Sequence, residues 1–261
     1  MHKKIARWVQ DKQNGIKRAV VTAYDYPFAR FATEAGVHGV LVGDSLGMVV
    51  TGADDTLGVT LEQMAYHTQM VARAAAGCLV FADLPFGTYE KGPKQAWNAA
   101  VTLLRAGADV IKLEGGAEMA PTVAFCAERG INVCAHIGLT PQRVRQWGSF
   151  QRQGTNVESA CRLQMDAGAL AEAGARFVVL EAVPDALAAR ITRDIAVPTI
   201  GIGAGPDTDA QVLVMHDLLG LGADSPPFAR RYIEGGRIMR DALAEYVQDV
   251  GSGHFPPRRK R

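Results

Sequence analysis

The chain has no long apolar run. Hydrophobic residues make up 48% of its 261 positions, yet no stretch is long enough to span a bilayer as a helix. It also lacks an excess of either charge: 28 Lys+Arg stand against 27 Asp+Glu, for a formal net charge of +1. No global attraction to nucleic acid or to a membrane surface is therefore built in. Cysteines are few, and Cys78, Cys126, Cys134 and Cys161 show neither CxxC spacing nor zinc-like pairing with histidine. They read as reduced, buried thiols of a cytoplasmic protein. Residues 1–13 are charged and amphipathic and lack the apolar core of a signal peptide. The basic end over residues 256–261 reads as a solvated tail. No break in composition marks a second domain, so residues 1–261 are expected to form a single barrel domain with a short N-terminal helix and C-terminal helices.

What the chain does have is six short apolar runs, each ending on a polar or glycine-rich signature. They are GVLVGDS (39–45), CLVFAD (78–83), VIKLEGG (110–116), NVCAH (132–136), FVVLE (177–181) and PTIGIGAG (198–205). Parallel strands buried on both faces read as continuous runs of this kind. A further strand is expected at 19–23, ending at Tyr24 and Asp25, and an eighth at 212–215, ending at His216 and Asp217. Between them, helical spacing with Pro, Thr and Gly punctuation predicts helices over 27–35, 61–76 (N-capped by Thr60), 93–106, about 118–129, 159–173 and 183–194, with a short one before the eighth strand. A short helix near 228–234 and a terminal one over about 238–247 follow. The segment 138–156 is too long and too rich in Gly, Gln and Arg for a tight turn, and reads as a lid or binding loop. Eight alternating strands make the fold α/β, a (β/α)8 TIM barrel. An open doubly wound sheet is the alternative, because alternation alone does not prove closure.

In such a barrel the reactive groups sit where the strands stop, at the C-terminal rim. Asp44 and Asp83 each end a strand, and Glu114 ends the next. One acid there reads equally well as a helix cap. Three together repel unless a cation neutralises them, and an all-oxygen set favours a hard ion such as Mg2+. Lys112 lies two residues before Glu114 and so shares its face. It is either a counter-ion to the acids or a binder of a substrate anion. Glu181 ends the sixth strand, across the barrel from the others, which suits a general base; the plain alternative is a salt bridge to a loop arginine. His136 is a substrate contact or a satisfied core histidine, and Ser45 can hydrogen-bond a ligand carboxylate. The Gly201-Ile202-Gly203-Ala204-Gly205 loop resembles a phosphate cradle, although tight backbone packing is the favoured reading.

The segments TAYDYPFA, LVGDSLGM, AYHT, ADLPFG, RAGADVIKLEGG, CAHIGLTPQ, FVVLEAVP, PTIGIGAG and DAQVLVMHDLLG are similar to those of the ketopantoate hydroxymethyltransferase family. The resemblance runs from about Ile5 to the final helices. It implies a barrel of the phosphoenolpyruvate/pyruvate superfamily type, working in pantothenate biosynthesis on 3-methyl-2-oxobutanoate with 5,10-methylenetetrahydrofolate as co-substrate. It implies Mg2+ held by Asp44, Asp83 and Glu114, and substrate contacts from Asp44, Ser45, Asp83 and Lys112. Glu181 would be the proton acceptor and His136 a pocket histidine. It also implies a homo-oligomer, often a homodecamer. The chain departs from the family pattern at Asp55-Thr56-Leu57-Gly58, at Ser149-Phe150-Gln151-Arg152-Gln153-Gly154 and at Pro226-Pro227-Phe228, all in loops. A metal-dependent carbon–carbon lyase or mutase acting on another 2-oxo acid is the alternative activity. A barrel kept only as a scaffold is disfavoured, because clustered acids cost stability.

Overall fold

The ring of strands closes. A computed structural model of the chain describes residues 3–148, 151–222 and 225–257. Ser149 and Phe150 of the departing loop, and residues 258–261 of the basic tail, lie outside the described residues. The strands are β1 (Arg18–Thr22), β2 (Gly39–Val42), β3 (Leu79–Asp83), β4 (Val110–Glu114), β5 (Val133–Gly138), β6 (Phe177–Glu181), β7 (Thr199–Ile202) and β8 (Ala210–Leu213). They pair in parallel in chain order, and β8 returns to β1 with Arg18 opposite Ala210. The open-sheet alternative is thereby excluded.

Local sequence explains several helix limits. The helix Leu61–Ala74 starts at a reciprocal capping box: Gln63 N–H donates to Thr60 Oγ1 (3.2 Å) and Thr60 N–H donates to Gln63 Oε1 (2.8 Å). The helix Pro93–Ala106 stops at Gly107, whose φ of +111° suits a residue without a Cβ.

Three expectations are corrected. Strand β8 lies two residues earlier than its apolar run suggests, and His216 falls in the one-turn helix Met215–Leu218. The start of β8 is pinned by Asp209, whose Oδ2 accepts from Thr199 N–H (2.8 Å) and pairs with Lys12 Nζ (2.8 Å). Second, the connection from β7 to β8 carries no helix. Third, turns replace the short helix near 228–234. Tyr232 and Gly235 N–H donate to Leu218 and Leu219 carbonyls rather than to a preceding helical turn. The chain divides into two compact units, Met1–Leu213 and Val214–Arg261. The first is the barrel; the second holds Met215–Leu218 and the long terminal helix Gly235–Ser252. Among the described residues no helix is long and apolar enough to cross a membrane.

The barrel is plugged at its N-terminal end. Ile5 and Trp8 of the helix Lys3–Gln13 pack with Phe81 of β3 and Phe177 of β6 inside the ring. Trp8 meets Phe177 edge-on at 5.3 Å, and Phe81 meets Phe177 at 5.2 Å, within the favoured range for aromatic pairs. Gly39 of β2 makes room, since a Cβ there would lie 2.9 Å from Phe81 Cε2. Arg18 lies over the Trp8 ring and pairs with the largely buried Asp11. Trp8→Ala is expected to cost about 3–5 kcal/mol of stability. Urea denaturation followed by far-ultraviolet circular dichroism checks this; a loss below about 1 kcal/mol would show that the plug is dispensable.

Candidate active site

Alternation along the strands decides which side chains enter the ring. Phe81, Val110, Cys134, Phe177 and Val179 form its apolar interior. Residues two further along share their face, so Asp83, Lys112, Glu114, His136 and Glu181 project into the ring toward its C-terminal rim. Register sets their neighbours: Asp83 lies beside Lys112 and Glu114 beside His136. The Lys112 stem passes through a layer that includes Leu41, Phe81 and Val179. Its Nζ reaches Asp83 Oδ1 at 2.8 Å.

Asp44 stands in the turn after β2, and its N–H donates to Asp83 Oδ2 (3.1 Å). The turn can approach because residue 43 is glycine; a Cβ there would lie 2.8 Å from Ser45 Oγ. Ser45 Oγ is hydrogen-bonded to Tyr24 Oη at 2.8 Å. The Glu114 Oε2 atom accepts from Gln142 N–H (3.0 Å), and Oε1 lies 3.4 Å from His136 Nδ1. On its other side His136 Nε2 lies 3.2 Å from Glu181 Oε2. Glu181 thus pairs with His136 rather than with a loop arginine. Its backbone is held by Gly138, where a Cβ would approach the Glu181 carbonyl to 2.2 Å.

The predicted residues therefore converge, but not as a finished ligand cage. Asp44 and Asp83 touch directly, while Glu114 joins them through Gln142, whose Nε2 donates to Asp44 Oδ2 (2.8 Å). Among the described residues no three His, Cys, Asp or Glu side chains form a ready metal cluster. The sequence pattern does not single out Gln142, Tyr89 or Tyr24, since none is charged. Gln142 is marked only by the string CAHIGLTPQ and Tyr24 only by TAYDYPFA and its place at a strand end; Tyr89 carries no signal.

Electrostatics shows what the cluster lacks. Burial, reinforced by Asp83 and Glu114, pushes Asp44 up to about 8 despite the opposing pull of Lys112. Burial lowers the Lys112 value, but Asp83, Glu114 and Asp44 outweigh it and drive it above the usual lysine range. Burial likewise disfavours the charged forms of Glu114 and His136, yet their mutual contact dominates, depressing Glu114 and raising His136 to about 9. Four carboxylates thus face two cations. Beyond their ion pairs with Lys112 and His136, the buried oxygens Asp83 Oδ1 and Glu114 Oε1 accept no further hydrogen bond. Carboxylate oxygens with positive charge in deficit: this donor set fits a hard divalent cation. Cys134, pushed up to about 12 by burial, is an inert thiol. Cys78 and Cys126 are buried too, whereas Cys161 is exposed, contrary to expectation.

The segment 138–156 is not structureless. It forms the single turns Pro141–Arg143 and Val144–Trp147. Arginines tie it to three other rim segments: Arg143 to Glu118 (2.8 Å), Arg145 to Asp55 (3.0 Å) and Arg152 to Asp185 (2.9 Å). Asp55 and Arg152 are two of the departing residues. The glycine-rich loop after β7 is packed tight: Cβ atoms at Gly201 and Gly205 would lie 2.5 Å from Thr208 and 2.6 Å from Asp185. A carboxylate against this loop supports packing rather than phosphate binding.

A model of the ketopantoate hydroxymethyltransferase family matches residues 2–258. The chain belongs to this family. It is 86% identical over 261 residues, the whole of both chains, to a 3-methyl-2-oxobutanoate hydroxymethyltransferase of Acidithiobacillus ferrooxidans. It is 51% identical over 240 residues to one of Pyrobaculum calidifontis, covering 92% of this chain and 91% of that one. This ketopantoate hydroxymethyltransferase family member is thus an enzyme, a transferase. Solved structures of more distant sequence share its fold. The phosphonopyruvate hydrolase complex with oxalate and Mg++ has a TM-score of 0.64 at 13% identity, over 96% of this chain and 88% of that one. A 2,3-dimethylmalate lyase, described as a PEP mutase/isocitrate lyase superfamily member, has a TM-score of 0.62 at 19% identity, over 99% and 90%.

Asp44 and His136 both hold protons more tightly folded than unfolded, so stability must fall as pH rises. For His136 the contribution is complete below about 6.5 and lost through about 9; for Asp44 the cost grows from about 4 to about 8. In chelator the melting temperature is therefore expected to fall steadily from pH 6 to 9. A scanning-calorimetry series that stays flat over that window would contradict the assigned charge states.

Proposed function

We propose that the chain carries out the reaction its relatives are named for. A one-carbon unit of 5,10-methylenetetrahydrofolate is placed on C3 of 3-methyl-2-oxobutanoate, giving 2-dehydropantoate for pantothenate biosynthesis. The observation that carries this reading is the meeting of Asp44, Asp83, Lys112, Glu114, His136 and Glu181 at one rim. It occurs in a chain 86% identical to a protein named for the transfer.

Asp44, Asp83 and Glu114 are the residues that would hold the metal. Mg2+ supplies Lewis-acid stabilisation of negative charge developing on the keto oxygen. Lys112 adds fixed positive charge beside the same oxygen and is pre-positioned by Asp83, so little reorganisation is needed. Ser45, oriented by Tyr24, donates to the substrate carboxylate. Glu181 accepts the C3 proton. It is the one carboxylate of the group that keeps some exposure (17% for its side chain), which suits a group that must meet the substrate. His136 between Glu114 and Glu181 holds that carboxylate in place and shields it from the metal carboxylates. The C3–H bond breaks and a C3–carbon bond forms to the folate methylene; both C–N bonds of that methylene break as water supplies the hydroxyl, and the C3 proton and one proton of the water balance the two N–H groups of the tetrahydrofolate released.

The enzyme works in the cytoplasm as a homo-oligomer, a homodecamer on the resemblance. The exposed Ile238, Leu243, Tyr246 and Val247 of the terminal helix support burial against another copy. The lyase or mutase alternative fits the metal carboxylates equally well and shares the barrel, but it lacks the 86% identity that supports the transferase.

With Mg2+ and without folate, the enzyme is expected to exchange the C3 proton of 3-methyl-2-oxobutanoate for deuterium, followed by proton magnetic resonance. Glu181→Gln should slow that exchange by roughly 10²–10⁴-fold. Undiminished exchange would remove Glu181 as the base. Product formed without folate would favour the alternative activity.

A further inference from the structure

We infer that Gln142 is a positioning residue that orients two of the metal carboxylates and fastens the loop after β5 over them. The inference deepens the proposed function, on which its metal arm rests. Gln142 is neutral, takes no part in the chemistry above, and is 4% exposed. Its amide has only one orientation that satisfies every atom. Nε2 donates to Asp44 Oδ2 (2.8 Å) and to the Leu84 carbonyl (2.9 Å), which can only accept. Oε1 accepts from Tyr89 Oη–H (2.6 Å). A flipped amide would set its oxygen against a carboxylate and a carbonyl.

The same residue donates its main-chain N–H to Glu114 Oε2 (3.0 Å). That donor is free because Gln142 is the second residue of the single turn Pro141–Arg143, and the first N–H groups of a turn have no partner inside it. A second path closes a ring: Glu114 N–H lies 3.3 Å from Tyr89 Oη, which in turn donates to Gln142. One residue of the β5 loop thus holds carboxylates from the ends of β2 and β4 and a carbonyl from the end of β3.

Neutrality is the point of using glutamine here. A lysine at this place would orient Asp44 but also cancel the charge that attracts a cation. An amide fixes the carboxylate and leaves its negative charge for the ion. Groups that orient metal ligands typically carry a 10–100-fold share of affinity. The loop and the cluster are therefore coupled: whatever loosens residues 139–148 loosens Asp44 and Glu114.

The test uses the full chain, Mg2+ as the probe, and two readouts. Calorimetric titration should show Gln142→Ala binding Mg2+ about 10-fold or more weakly than wild type. Hydrogen–deuterium exchange on the metal-free protein should quicken across residues 139–148. Tyr89→Phe, which removes one hydroxyl, should shift both readouts in the same direction by less. The double variant should be no weaker than Gln142→Ala alone, as expected for members of one chain of bonds. Circular dichroism confirms folding of each variant. Wild-type Mg2+ affinity in Gln142→Ala, or additive effects in the double variant, would overturn the inference. If wild type itself takes up no Mg2+, the metal reading falls, and loop exchange decides alone: unchanged exchange in Gln142→Ala then overturns the role of Gln142.

Discussion

A lysine buried among carboxylates is the constraint around which the upper barrel is arranged. Removing charged groups from water costs several kcal/mol each, and only close opposite charge and satisfied hydrogen bonds offset it. Lys112 meets that condition through Asp83 at 2.8 Å, a contact set by the parallel pairing of β3 with β4 in the register that puts the two residues side by side. Everything else at the rim follows from the remaining imbalance. Asp44 is pushed toward its neutral form and His136 toward its charged form. The strained end is tolerable because the opposite end is the reverse in character. There Trp8, Phe81 and Phe177 fill the ring with apolar surface, and the stability they contribute holds the charged rim in place.

The barrel was largely legible because each buried strand is a short apolar run and each helix carries its own punctuation. Thr60 and Gln63 specify the start of one helix, Gly107 the end of another. What failed did so for a common reason: the deciding interactions were distant in sequence. Strand β8 is placed by Asp209 bonding to Thr199 of β7 and to Lys12 of the first helix, neither visible in the run around Val212. The segment before Gly235 has helical composition, but its donors go to Leu218 and Leu219, and turns result.

At the site, the acids, Lys112, His136 and Glu181 were legible because charge at a strand end inside a barrel has few plain explanations. The relations among them were not. Sequence spacing says that Lys112 and Glu114 share a face; it does not say that Lys112 chooses Asp83 while Glu114 turns to His136 and Gln142. The neutral members went unseen, because Gln and Tyr in a loop carry no signal until the loop is folded back. Their bonds run from residue 142 to residues 44, 84 and 89, across most of the ring.

The departures from the family pattern take on meaning against this division. The six charged residues of the rim are held by buried contacts, and none of the departures falls among them. Asp55 and Arg152 instead make ion pairs from the rim of the loop, with Arg145 and Arg152 side chains 76% and 53% exposed. Exposed pairs of this kind contribute at most about 1 kcal/mol each. They are too weak to dictate the position of the carboxylates, which the buried bonds of Gln142 already set. Change at these positions therefore leaves the charged residues of the rim undisturbed, because their partners are buried.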